Sequence, residues 1–298
     1  MRLSAKRLFV EGRAMSANGN AQSLTTTAVR VAGLVADQRL REALERSFSR
    51  ASASVDEVQQ CFALIPARRW SEDVLSTFLH SWKATHLKML GIYGLSCRIQ
   101  RLALAQDAVD DGEAREQLWM AAARNAETSY EDLGLDYEGV THASLYDDMA
   151  RSFVPTDAWL MEANGLPAAL EFKRWVYEKM VVEDIPIGLL TNMFSEIYNH
   201  AEYSLALRAF TELVDSHYDF TEAEKERALC YIGAHVGDET EMKHFLVVVE
   251  ALDRYNRARG LEIDYELAET LFTEYLQRLG VVMGEMRLRM VSEQQGAV

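Results

Sequence analysis

Thr191-Asn192-Met193-Phe194-Ser195-Glu196-Ile197-Tyr198-Asn199-His200 lies in a segment whose spacing predicts one long helix over Ile187–Val214. Ile187, Leu189, Leu190 and Met193 surround a single carboxylate with apolar and aromatic side chains. An ionised Glu196 buried there needs a counter-charge such as a metal. The alternative is a solvent-facing Glu196 beside Asn192 and Asn199, which helical steps of three and four permit. Outward from this segment, only four prolines (Pro66, Pro155, Pro167, Pro186) and 16 glycines interrupt 298 residues, while Ala, Leu, Glu and Arg are plentiful. That balance favours long helices over strands, so the fold class is all-α.

Helical periodicity starts near Thr25 and runs to about Phe48, with Val29, Val31, Leu34, Val35 and Leu40 on one stripe. Ser54-Val55-Asp56-Glu57 resembles a capping sequence for a second helix that Pro66 ends. Further helical stretches follow over Ser71–Ala105, Glu113–Glu131, Thr141–Phe153, Asp157–Asn164, Ala168–Met180, Thr221–Tyr255 and Tyr265–Met290. No repeat or linker separates two domains. The expected organisation is a flexible N-terminus (1–24), a helical extension (25–66), a main helical domain (67–291) and a flexible tail (292–298). The Ala and Val stripe of the extension needs a covering surface, in this chain or as a dimerisation arm.

With 31 basic and 46 acidic residues the net charge is −15, which repels phosphate backbones and anionic headgroups. Nucleic acid and membrane are therefore not expected partners, and no apolar run approaches the roughly 20 residues of a membrane span. Cys61, Cys97 and Cys230 are far apart and odd in number, which points to a reducing cytoplasm rather than a disulfide framework. Met1–Arg13 is mildly basic and reads as a frayed terminus rather than a cleavable signal.

Seven histidines (His80, His86, His142, His200, His217, His235, His244) offer imidazole ligands, and a metal site needs several to converge with carboxylates. Three stretches combine the two. The first runs from Glu131-Asp132-Leu133-Gly134 to His142, where Gly134 and Gly139 interrupt any continuous helix. The second is the Glu196 segment. The third, His235-Val236-Gly237-Asp238-Glu239-Thr240-Glu241-Met242-Lys243-His244, is the densest. On a straight helix at about 100° per residue, His235 and His244 fall on opposite faces. Both can turn inward only if the helix is distorted near Gly237, for example by a π-bulge. Otherwise the segment is a charged outer face with one histidine in the core.

Together these stretches resemble the haem-oxygenase-like diiron oxidases, helical enzymes that bind two irons rather than haem. Glu131-Asp132-Leu133-Gly134 and His142 resemble the family's E-x-L-G segment and the histidine that follows it. Glu196, 54 residues beyond His142, resembles the next glutamate. The family's final H-x3-D/E-x2-H element is met only in halves. Glu241-x2-His244 has Gly237 where the leading histidine would stand, and His235-x3-Glu239 has Met242 where the closing one would. The similarity spans roughly Trp70 to Leu252.

The resemblance implies a haem-oxygenase-like helical bundle with an N-terminal helical extension. It implies Glu131, His142, Glu196, His235, Glu241 and His244 as ligands, with Asp238 and Glu239 as alternates and no separate general base. Two Fe(II) per chain would be the cofactor and O2 the co-substrate. The implied reaction is oxidation of a small amine, amino acid or fatty acid by N-oxygenation, desaturation, decarboxylation or carbon–carbon cleavage, in specialised metabolism. An external electron donor and a homodimer are left open as partners. Two other readings compete. A ferritin-like diiron protein would use Glu241-x2-His244 with Glu212 upstream, but lacks a second Glu-x-x-His. A non-catalytic helical interaction protein would leave the histidines incidental. Asp110-Asp111-Gly112-Glu113-Ala114-Arg115-Glu116 has a magnesium-motif look without its downstream half, and reads as a solvated loop.

Overall fold

The computed structural model describes residues 23–86, 88–105, 112–130, 132–135, 139–236 and 240–296, leaving aside the side chains of Thr240 and Glu241. Among them it is helical, with no strand. The helices are α1 (Leu24–Ala32), α2 (Gln38–Arg50), α3 (Ser52–Leu64), α4 (Glu72–His86), α5 (Met89–Leu104) and α6 (Gly112–Glu127). They continue with α7 (His142–Phe153), α8 (Pro167–Val181), α9 (Ile185–His217), α10 (Glu222–Val236), α11 (Thr240–Arg259) and α12 (Tyr265–Gly296). No helix among the described residues is long and apolar enough to cross a membrane.

The long helix α9 organises the bundle. Its 33 residues begin with Pro186 in the first turn, where a missing N–H costs nothing, and most of its length is buried on every side. Helices α1, α8, α10, α11 and α12 pack around it. Glu196 is 6% exposed there, and Asn192 and Asn199 are buried with it, so this face of the helix does not meet solvent.

Several sequence expectations change. The first helical stretch is two helices: Gly33 ends α1, and Asp37 caps α2 by accepting the Leu40 N–H. A periodic stripe that continues across a short connection does not betray the break. Ser54 lies inside α3 rather than at its cap, because α3 already starts at Ser52. Asp157–Asn164 forms two short 3₁₀ turns instead of a helix. The last helix continues to Gly296, so the tail expected from 292 is helical to that point.

The extension is built into the same core as the rest. Ala28, Val31 and Ala32 are fully buried, and α1 rests on α9 of this chain. Phe272 of α12 links the layers: it stacks on Phe194 of α9 at 4.7 Å and meets the edge of Phe48 of α2 at 5.1 Å. Arg287 of α12 grips both oxygens of Glu57 of α3 (2.7 and 3.1 Å). Arg46 and Arg50 of α2 converge on the nearly buried Glu269 at 2.7 and 2.9 Å. Residues 1–22 lie outside the described part.

The most consequential difference is at the histidine-rich segment. The single helix expected over Thr221–Tyr255 is two helices, α10 ending at Val236 and α11 starting at Thr240. Between them, Gly237, where a π-bulge was one expectation, lies with Asp238 and Glu239 outside the described residues. His235 and His244 therefore belong to different helices, and the opposite-face objection no longer applies.

Candidate metal centre

Thr141 caps α7, its hydroxyl accepting from the Ser144 N–H, so His142 is the first helical residue. Its backbone N–H donates to the Asp132 carbonyl at 3.0 Å. That bond folds the preceding turn back on the helix start and sets Asp132 Oδ1 2.7 Å from His142 Nδ1. The turn needs Gly134, whose φ is +74° and where a Cβ would lie 2.6 Å from the Val140 carbonyl.

His235 comes from the last turn of α10, its ring 4.4 Å from that of His142. Its Nδ1–H donates to the Tyr231 carbonyl one turn back at 2.7 Å, and its face stacks on Tyr203 of α9 at 4.1 Å. Burial, then the charge of His142, pushes its imidazole well below the usual range; His86 and His244 act in the same direction and the bond to Tyr231 opposes them. A neutral ring with Nδ1 committed to a carbonyl presents a lone pair at Nε2.

Asp132, His142 and His235 bring one donor atom each within 4.8 Å of one another. Glu196 and His244 line the same cavity, His244 Nδ1 lying 3.7 Å from Glu196 Oε2 and the Ser195 hydroxyl 3.3 Å from Glu196 Oε1. The cavity measures about 30 Å³, room for very few water-sized centres. Two imidazoles and a carboxylate around a small polar void match the donor set of a non-haem ferrous site. No cysteine lines the cavity, and burial pushes Cys61 far up and Cys230 up to about 12.

Four residues singled out from sequence, His142, Glu196, His235 and His244, thus border one void. Glu131, Asp238 and Glu239, and the side chain of Glu241, lie outside the described residues. Glu212, which a ferritin-like arrangement would use, is exposed. Asp132, His86 and Lys88 also border the cavity and were not foreseen.

Gly134→Ala is expected to force this turn off Val140, at roughly 1–3 kcal/mol of stability. Metal affinity should fall on the order of 10–100-fold, the range seen when supporting groups of a metal site are altered. Thermal melts and equilibrium dialysis against Co(II) measure both; unaltered affinity would show that the turn does not place Asp132.

No family model matches the chain, and no curated protein matches it by sequence. Solved structures do match. The crystal structure of a TenA homolog from Pseudomonas syringae pv. tomato str. DC3000 superimposes with a TM-score of 0.58, covering 84% of this chain and 93% of that one. At 12% identity the likeness carries the fold alone, a helical bundle of the haem-oxygenase-like type.

Proposed function

We propose that this chain is an O2-dependent non-haem iron oxidoreductase acting on a small organic substrate. The observation that carries this reading is the convergence of Asp132, His142 and His235, with Glu196 and His244 lining the same small polar cavity. Held by these donors, ferrous iron would supply the electrons that dioxygen requires, which no side chain of the cavity offers by itself.

The chain's own residues do the rest. The Tyr231 carbonyl fixes which nitrogen of His235 faces the void. Ser195 steadies Glu196, and the Tyr203–Tyr231 hydroxyl pair, 2.7 Å apart, seals the wall behind His235. Tyr203 and Tyr231 are almost wholly buried, so bulk water is kept from this side of the donors. Oxidation of an amine, amino acid or fatty acid remains the substrate expectation, in keeping with the sequence resemblance.

Anaerobic titration of the metal-free chain with Fe(II), followed by O2, tests the reading. Saturable uptake and a transient visible absorption on oxygenation are expected. No saturable uptake would abandon the oxidoreductase in favour of a helical interaction protein.

A further inference from the structure

Lys88 is the one lysine or arginine among the described residues that line the cavity, and metal binding gives it no task. It stands where the connection after α4 enters α5, its carbonyl accepting the Gly91 and Ile92 N–H groups at 2.8 and 3.2 Å. Its side chain does not cap that helix. The Nζ is buried, so the ammonium is held inside rather than left in water.

A lysine ammonium is a poor companion for a divalent cation. While protonated it has no lone pair to give, and like charge across a small cavity lowers the affinity of the donors for metal. It repels a substrate ammonium in the same way. Such a charge favours an anion: a carboxylate brought beside the metal donors gains a charge-assisted hydrogen bond from Lys88 and offsets the repulsion.

The size of the cavity limits how much of a ligand enters. About 30 Å³ takes a carboxylate head group but not the chain behind it, which must lie outside. The adjoining surface is apolar. Leu90, two residues past Lys88, is 79% exposed, and Tyr130, Leu133, Leu135 and Val140, from the segment that carries Asp132 and leads to His142, are 41% to 61% exposed. Tyr93 joins the two: its hydroxyl is pushed up first by burial and then by Asp132 and Tyr130, so the start of α5 faces this turn. Exposed apolar side chains gathered beside a small polar cavity mark a ligand groove. They offer an aliphatic body contact and offer a second charged group nothing.

We propose that Lys88 is a specificity-determining residue, its Nζ donating to the carboxylate of the substrate while the substrate's apolar body lies along Leu90, Tyr130, Leu133 and Val140. The substrate class is then a monocarboxylate with an aliphatic body, and not an amine. Lys88 has no part in the ligand set that the sequence resemblance implies. The inference rests on the cavity being a metal centre, since a carboxylate held at Lys88 reacts only with what the neighbouring donors bind.

Isothermal titration under argon separates this inference from the reading it rests on, with Co(II) titrated first and then octanoate, butyrate or octylamine added to the Co(II)-loaded chain. Octanoate should bind saturably, and more tightly than either butyrate or octylamine. Lys88→Met should weaken octanoate binding by roughly 10–100-fold, the worth of one hydrogen bond to a charged group, yet bind Co(II) at least as tightly as the intact chain. Lys88→Arg, which keeps the charge, should recover most of the octanoate affinity. Circular dichroism checks that each variant folds, and if Lys88→Met does not, the comparison of octanoate with octylamine on the intact chain decides alone. With Co(II) bound, the assignment is overturned by absent octanoate binding, by equal octanoate affinity in the intact chain and Lys88→Met, by octylamine binding as well as octanoate, or by Lys88→Arg as weak as Lys88→Met. Equal affinity for butyrate and octanoate would remove the apolar surface from it. No uptake of Co(II) by the intact chain would remove centre and assignment together.

Discussion

Replacing His235 by alanine is expected to weaken divalent-metal uptake by more than roughly 100-fold, beyond the 10–100-fold that alteration of supporting groups causes. The substitution removes one of three donors that lie within 4.8 Å of each other. The fold should tolerate it. The main losses are a hydrogen bond to the Tyr231 carbonyl, about 1 kcal/mol, and ring contacts with Tyr203, His142 and Tyr231. His80 and His217 supply controls, since their imidazoles contact the carbonyls of Trp159 and Pro66 and neither lines the cavity. His80→Ala and His217→Ala should bind metal as the intact chain does. Isothermal titration with Co(II) under argon reads the difference, and a His235→Ala chain of undiminished affinity would remove this histidine from the centre.

How far such a centre can be read from sequence depends on which interactions are local. Glu196 was legible because its neighbours along one helix are apolar, and burial of an acid follows from that alone. The same reasoning reaches Glu202, six residues on between Ala201 and Tyr203, whose Oε2 lies 2.6 Å from Nε2 of the cavity residue His86. His86 itself is hidden, because its carboxylate partner lies 116 residues away in the chain. Asp132 is not distinguishable in the sequence from its neighbour Glu131, which lies outside the described residues, because adjacent carboxylates next to a turn carry the same signal. His235 and His244 fall on opposite faces only if one straight helix carries both. Periodicity assumes one continuous axis, and the end of α10 at Val236 resets it. The helical class, in contrast, needs only composition and spacing, and the long buried α9 announces itself through apolar residues on every face.

Trp82→Ala is expected to be the most destabilising single substitution near the site, costing on the order of 3–5 kcal/mol. The indole is fully buried. It stacks on Phe210 of α9 at 5.8 Å with ring planes 10° apart, and Phe62, Phe78, Tyr146 and Tyr231 meet it at 5.8 to 6.2 Å. These rings come from α3, α4, α7, α9 and α10, so truncation opens a void where five helices meet and none can close it without moving the others. A midpoint fall of roughly 5–15 °C follows for a chain of this length. The loss should reach the cavity as well, because Trp82 also packs edge-on against His86 at 5.3 Å. Trp82→Phe, which keeps an aromatic ring, should recover more than half of the stability. Urea denaturation followed by circular dichroism measures both variants. A loss below about 1 kcal/mol for Trp82→Ala would mean that the bundle relaxes into the void, and that the aromatic cluster does not hold α4 and His86 against α9.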